Sequence, residues 1–285
     1  MERTDILARL QSNWQTVDQR RTLVEEQKNL CVTMLAEQLC RDRGLPEEQF
    51  ATFLSLAPHA DETAKALFCR TYAQLHPGNR SLSPEELFGL NETPPAGAHG
   101  KIAFVRNRYN ERAYEYFSEL VIGAKPMYLS DFSEACDSVY NGQASYCILP
   151  VENSQNGRLF GFYAMMDRYE LKICALTELD GNDTADSVRY ALVGRSIVRP
   201  FAKQLPCALE CSFTREDGSN LCALLTAAKA IGATVQKVDF LPLEYDHSFY
   251  RAYLTFRLSS ADAAALGLYL SLSYPNYNPI GFYSL

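Results

Sequence analysis

The sequence predicts an α/β and α+β multidomain protein: an N-terminal helical hairpin or bundle, a single α/β lobe, and a C-terminal ferredoxin-like βαββαβ unit. Three observations carry that expectation. Apolar residues recur at alternating steps of three and four from Leu7 to Leu35; strands alternate with helices from Lys101 to Val193; and after Leu205 the order changes to strand, helix, two strands, helix, strand.

The first helix opens at Thr4 and Asp5, which can cap it, and its stripe runs through Leu7, Leu10, Trp14, Val17, Val24, Cys31 and Leu35, with Arg21 and Lys28 inside the same stripe. Arg43-Gly44-Leu45-Pro46 stops it. Shorter helices are expected over Glu47 to Leu56 and Glu62 to Leu75, which makes residues 1–78 a helical region. Residues 79–100 are crowded with Pro, Gly, Ser and Asn and read as a linker, interrupted by a short helix over Pro84 to Phe88.

Residues 101–200 form the α/β lobe: strands at Lys101–Val105, Pro126–Leu129, Tyr146–Pro150, Leu171–Leu176 and Tyr190–Val193, with helices over Asn110–Leu120 and Asp131–Tyr140. Alternation of this kind implies a largely parallel sheet. Residues 201–285 hold strands at Ala208–Phe213, Thr234–Leu241, Phe249–Leu258 and Ile280–Tyr283, with helices at Leu221–Ala230 and Ala261–Tyr269.

A net charge of −7 and a pI near 5.2 argue against nucleic-acid binding, since no broad basic face is available to neutralise phosphates. No apolar run approaches the roughly 18–20 residues that span a bilayer. The start, MERTDILARLQSNW, has no hydrophobic secretory core, so the expected location is cytoplasmic. Nine scattered cysteines without a C-x-x-C pair read as reduced thiols, and four distant histidines give no metal spacing; neither metal nor cofactor is expected.

The most specific string is LPVENSQNG, Leu149 to Gly157, preceded by DFSEACDSVYNGQASYCILP. It resembles the Pro-hydrophobic-Glu-Asn-Ser-x-x-Gly signature of prephenate dehydratases. Here a strand is expected to end and Asn153 and Ser154 to start a helix, either as simple caps or with free N–H groups that hold a carboxylate. DGSNLCALLTAAKAIGATVQKVDFLP and the closing PNYNPIGFYSL resemble the ACT regulatory domain, and LQSNWQTVDQRR resembles the first helix of helical chorismate mutases. The order is that of the bifunctional chorismate mutase–prephenate dehydratase enzymes of phenylalanine biosynthesis.

The resemblance implies substrate-binding roles for Glu152, Asn153, Ser154, Gly157 and Asn110, the last standing where the family has serine in a glycine-rich turn shortened here to VRNRYN. It implies a catalytic role for Arg189, either pairing a substrate carboxylate or standing as an exposed arginine. Val188 occupies the family's threonine position and cannot donate a proton to a leaving hydroxyl. Ser154 and Val188 lie only 34 positions apart, whereas the family places a second lobe in that interval. What remains would be half of a periplasmic-binding-protein-like domain.

In the mutase-like helix, aligned on Asp18, Lys28 occupies an arginine position and Gln11 replaces another; Arg21 and Lys28 either bind a ligand or extend along apolar surface to water. In the ACT-like part, Gly218, Ser219, Asn220 and Leu221 offer a backbone site for a small amino acid or cap the following helix, while Phe240-Leu241 replace the family's Ser-Arg. The expectation is a degenerate, non-catalytic family relative that binds a small carboxylate such as prephenate, or an amino acid such as phenylalanine. ACT domains pair, so a homodimer is expected. The alternatives are a working dehydratase with a rearranged site and residual chorismate mutase activity.

Overall fold

The computed structural model describes residues 3–41, 44–90, 100–154, 157–180, 187–198, 207–214, 221–243 and 246–284. Its centre is one mixed sheet whose strands, numbered in chain order, lie side by side as β2 (Lys125–Leu129), β1 (Lys101–Val105), β3 (Tyr146–Asn153), β6 (Ser187–Gly194), β5 (Lys172–Asp180), β10 (Asn278–Ser284), β7 (Cys207–Phe213), β9 (Asp246–Leu258) and β8 (Thr234–Leu243), with a short β4 (Gly157–Arg158) hydrogen-bonded to β3.

Four helices come first: α1 (Arg3–Leu39), α2 (Pro46–Leu56), α3 (Glu62–Leu75) and α4 (Pro84–Phe88). Local chemistry sets their limits. Pro46 occupies the first turn of α2, and Asp61 caps α3 by accepting from the Ala64 N–H at 2.9 Å. Ser83 caps α4 in the same way, and Gly89 ends it in the left-handed conformation at φ 65°. Phe53 and Phe68 stack at 5.0 Å, and Phe50 and Tyr72 pack beside them.

The expected helical bundle is incomplete. From Ile6 to Leu30 the apolar residues of α1 are exposed, Trp14 by 71%, and burial of the helix begins at Val32. The remaining helices join a core that also holds Leu224, Ala228, Leu266 and Tyr269 of the C-terminal unit. Arg70 donates to the Ala230 carbonyl at 3.3 Å, Tyr277 to the Leu87 carbonyl at 2.8 Å, and Tyr269 to Glu62.

The α/β lobe contains β1 (Lys101–Val105), α5 (Arg108–Leu120), β2 (Lys125–Leu129), α6 (Phe132–Tyr140), β3 (Tyr146–Asn153), β4 (Gly157–Arg158), α7 (Phe160–Arg168), β5 (Lys172–Asp180) and β6 (Ser187–Gly194). Strands β2, β1 and β3 are parallel, joined through α5 and α6. Strand β6, however, is antiparallel to both β3 and β5. The expectation of a largely parallel sheet is thus corrected to a mixed one. A parallel β5–β6 pair needs a crossover of about a dozen residues, and residues 181–186 leave no room for it.

The C-terminal unit contains β7 (Cys207–Phe213), α8 (Leu221–Ile231), β8 (Thr234–Leu243), β9 (Asp246–Leu258), α9 (Ser260–Ser273) and β10 (Asn278–Ser284). Its strands lie β10-β7-β9-β8, antiparallel at every pairing, with both helices on one face.

A single register pair, Gly281 with Ile173, joins this unit to the lobe. The Lys172 ammonium spans the same seam, donating to Asn278 Oδ1 at 2.6 Å and to the Pro279 carbonyl at 2.7 Å. A methyl at position 281 would lie 2.7 Å from Ile173 Cβ and 3.1 Å from its carbonyl oxygen. Gly281→Ala is therefore expected to cost about 1–3 kcal/mol by overpacking, seen as a lower urea midpoint with unchanged slope. An unshifted midpoint would show that the seam carries no strain.

Candidate functional site

Strand alternation decides which of the candidate residues can meet. On β6, Val188, Tyr190 and Leu192 pack on the α5 side, while Ala191 and Val193 pack on the side of α6 and α7. Arg189 shares the second side. The register pairs Glu152 of β3 with Arg189, and Arg189 with Glu178 of β5, so the three lie in one row across neighbouring strands. Arg189 Nη1 meets Glu152 Oε1 at 2.8 Å, and Nη2 meets Glu178 Oε2 at 3.3 Å.

The fourth member comes from the far end of the sheet. Lys237 on β8 donates to Glu152 Oε2. Six strand-to-strand steps separate β3 from β8 in the sheet order, about 29 Å at roughly 4.8 Å per step if the sheet were flat. The contact therefore requires the sheet to curl until β8 faces β3.

The curl encloses a cavity of about 300 Å³ on the concave face. Its wall takes Glu152 from β3, Thr177 and Glu178 from β5, Arg189 from β6, Lys237 from β8 and Tyr283 from β10, and is completed by Glu210 of β7 and Thr255 of β9. Glu210 is buried and accepts hydrogen bonds from Tyr283 Oη at 2.9 Å and from Tyr163 Oη of α7. The Ser187 hydroxyl, donating at 2.7 Å, and then the Arg189 guanidinium hold the Glu178 carboxyl below its usual range. The wall thus carries three carboxyl groups and two cations beside the hydroxyls of Thr177, Thr255 and Tyr283.

The remaining candidates lie elsewhere. Asn153 is paired with Val188, and Val188 packs into the apolar cluster over α5. Asn153 and Ser154 do not start a helix, contrary to expectation. Strand β3 continues through Asn153, Ser154 Oγ accepts from the Ser187 N–H at 3.0 Å, and the Ser154 N–H donates to the Ser187 carbonyl at 2.9 Å. Gly157, at φ 67°, instead opens the β4 hairpin, and the helix begins only at Phe160. The end of the β3–β6 ladder, not a helix, satisfies these polar groups.

Asn110 is buried in the first turn of α5, where its side chain donates to the Val105 carbonyl at 2.7 Å. Gln11, Arg21 and Lys28 are spread along α1. Gln11 is exposed, Arg21 pairs with Asp18 at 2.9 Å, and Lys28 pairs with Asp61 at 2.5 Å. Burial pushes the Asp61 carboxyl up, but hydrogen bonds from Lys28 and the Ala64 N–H hold it below its ordinary value. Gly218, Ser219 and Asn220 lie outside the described residues, and Leu221 begins α8.

Glu178, Glu210, Lys237 and Tyr283 were not foreseen from the sequence. One signal was there to be read: Glu210 stands inside CALECSF, an otherwise apolar run, and a carboxylate inside a buried strand needs partners. Among the described residues, no group of three or more His, Cys, Asp or Glu is placed to hold a metal ion, and no helix is long and apolar enough to cross a membrane.

Residues 107–181 match the family model of prephenate dehydratase. The matched stretch contains Glu152 on β3, α7 and Glu178 on β5, and ends before Arg189. A solved prephenate dehydratase from Streptococcus mutans superposes with a TM-score of 0.52 at 18% identity, covering 64% of this chain and 97% of that one. Its likeness is one of fold. A prephenate dehydratase from Arthrobacter aurescens in complex with L-Phe gives a TM-score of 0.49 at 14% identity, over 65% of this chain and 90% of that one. GqqA, described as a novel type of quorum quenching acylase, gives 0.48 at 19% identity over 65% and 95%. No curated protein matches the chain in sequence.

Proposed function

We propose that the chain is a degenerate prephenate dehydratase relative of the phenylalanine branch of aromatic amino-acid biosynthesis, a ligand-binding regulatory protein without dehydratase turnover. The observation that carries this reading is the setting of Arg189. Its guanidinium is already held between Glu152 and Glu178, and its neighbour Val188 has no donor and packs on the opposite face. Dehydration of prephenate expels a ring hydroxyl together with carbon dioxide, and a proton donor must meet that hydroxyl. At position 188 neither the chemistry nor the direction serves.

The cavity's charge favours a different ligand class. With three carboxyl groups against two cations, a dianion such as prephenate meets net repulsion. An amino acid, with one ammonium and one carboxylate, can address both signs. The βαββαβ order of the C-terminal unit supports reading it as ACT-like, with Gly218 to Leu221 as its amino-acid site and pairing of two such units in a homodimer.

Purified protein incubated with prephenate is expected to form phenylpyruvate no faster than buffer does, while calorimetry with phenylalanine detects binding. Turnover at an enzymatic rate would end the non-catalytic reading. One observation favours the second reading, a working dehydratase: the hydroxyls of Thr177, Thr255 and Tyr283 line the same wall as Arg189. That reading requires a turnover that disappears in Arg189→Met.

A further inference from the structure

The cavity draws its wall from both halves of the chain, and its C-terminal half carries a charge pattern of its own. Strand pairing sets Thr255 of β9 opposite both Glu210 of β7 and Lys237 of β8. Residues directly opposite on neighbouring strands share a face, and all three line the cavity. A carboxylate and an ammonium thus stand at the two ends of one row, with a threonine hydroxyl between them. Two strand steps separate their backbones, about 10 Å at roughly 4.8 Å per step.

The acidic end is set up for a cation. Glu210 is 2% exposed, and each of its oxygens accepts from a tyrosine, Oε1 from Tyr163 and Oε2 from Tyr283. Accepting at both oxygens is the bonding of an ionised carboxylate, which has about four acceptor sites, so two hydroxyls orient it without filling it. At the basic end, the Lys237 ammonium has three N–H donors, and its bond to Glu152 does not exhaust them. Arg189 is engaged by Glu152 and Glu178, and the wall as a whole carries one carboxyl more than it has cations. A neutral zwitterion leaves that excess in place, whereas a ligand of net positive charge offsets it.

We infer that the cavity takes a basic amino acid, with its carboxylate on Lys237, its side-chain cation on Glu210 and its aliphatic stem across Thr255. This rests on the amino-acid reading of the cavity and names which amino acid. The spacing decides it. The ammonium and carboxylate of an α-amino acid sit on one carbon, too close together to bridge the ends of the row. A cation on a four-carbon stem, as in lysine, reaches from one end to the other. The carboxylate on Lys237 also puts the α-ammonium beside Glu152, the group that Lys237 already holds. Phenylalanine meets Lys237 in the same way but turns a ring toward Glu210. A volume of about 300 Å³ is small for a ligand pocket and suits a free amino acid.

The test is calorimetry on the full chain with three probes of equal chain length. Lysine is expected to bind about ten-fold or more tighter than norleucine, which lacks only the side-chain ammonium, and than 1,5-diaminopentane, which lacks only the carboxylate. Glu210→Gln, folded at the temperature of the titration, is expected to bring lysine down to the affinity of norleucine and leave norleucine unchanged. Lys237→Gln is expected to weaken lysine and norleucine alike and leave 1,5-diaminopentane unchanged. Lysine no tighter than norleucine in the parent chain would overturn the inference without any variant. So would a preference for lysine that survives Glu210→Gln, or 1,5-diaminopentane bound as tightly as lysine. If phenylalanine and norleucine bind as well as lysine does, the amino-acid reading stands and only the basic ligand falls. If no amino acid binds, the amino-acid reading falls with it.

Discussion

Glu210→Ala is expected to destabilise the protein by about 3–5 kcal/mol, the largest loss for a single change in the cavity wall. The carboxyl is 2% exposed and accepts from Tyr163 of α7 and Tyr283 of β10. Removing an acceptor from a buried donor costs roughly 1–3 kcal/mol each time, and truncation also leaves a void in the wall. Two structural links weaken together, because Tyr163 ties α7 to the C-terminal unit and Tyr283 sits on the strand that forms the seam. The conservative Glu210→Gln keeps the shape and one carbonyl acceptor, so its cost is expected near 1–2 kcal/mol. Thermal unfolding checks the pair: Glu210→Ala should melt about 6–20 °C lower, at roughly 2–4 °C per kcal/mol. A melting temperature within a degree or two of the parent would show that Glu210 is not what joins α7 to the sheet.

How much of this could be read in the sequence differs from element to element. The strand Lys101–Val105 and the helix Phe132–Tyr140 were legible because each carries a complete local signal, a short apolar run or an Asp131 cap with an Asn-Gly stop. Helix α7 was missed for the opposite reason: Leu159 precedes it with no side-chain cap, and the Asn-Ser pair a few residues earlier offered a better start on paper. The Glu152–Arg189 meeting was half legible, since family resemblance singled out both residues but not their pairing in register. Lys237 was beyond reach, because nothing local in TVQKVDFLPL tells how far a ten-residue strand at the sheet's edge will curl back. The stripe on α1 shows the same limit. Its period was visible in the residues, yet a period announces only that a face will be covered and does not name what covers it.

The same row of charges sets the second large effect. Arg189→Met is expected to cost about 2–3 kcal/mol at neutral pH, and the loss should fade in acid. Glu178 is 51% exposed at its side chain, so its share is that of a surface pair, under about 1 kcal/mol. Glu152, 20% exposed, loses more, although Lys237 still donates to it. The sign follows from linkage. The Glu178 carboxyl is held low by Ser187 and Arg189, so its stabilisation is complete above the unfolded carboxylate range and is lost as pH falls through the folded value. Removing the guanidinium deletes a stabilisation that exists only while the carboxylates are ionised. Parent and variant should therefore differ most near neutral pH and converge only once the pH has fallen below the ordinary carboxylate range. In the cavity the formal balance shifts by one negative charge and Glu152 and Glu178 lose the guanidinium between them, so the carboxylate of an amino-acid ligand meets stronger repulsion and affinity should fall at least ten-fold. Urea unfolding of both proteins across that pH range, with calorimetry at pH 7, measures both effects. A stability difference that stays constant into acid would mean that Arg189 acts through packing, and the charge row would lose its standing as the centre of the site.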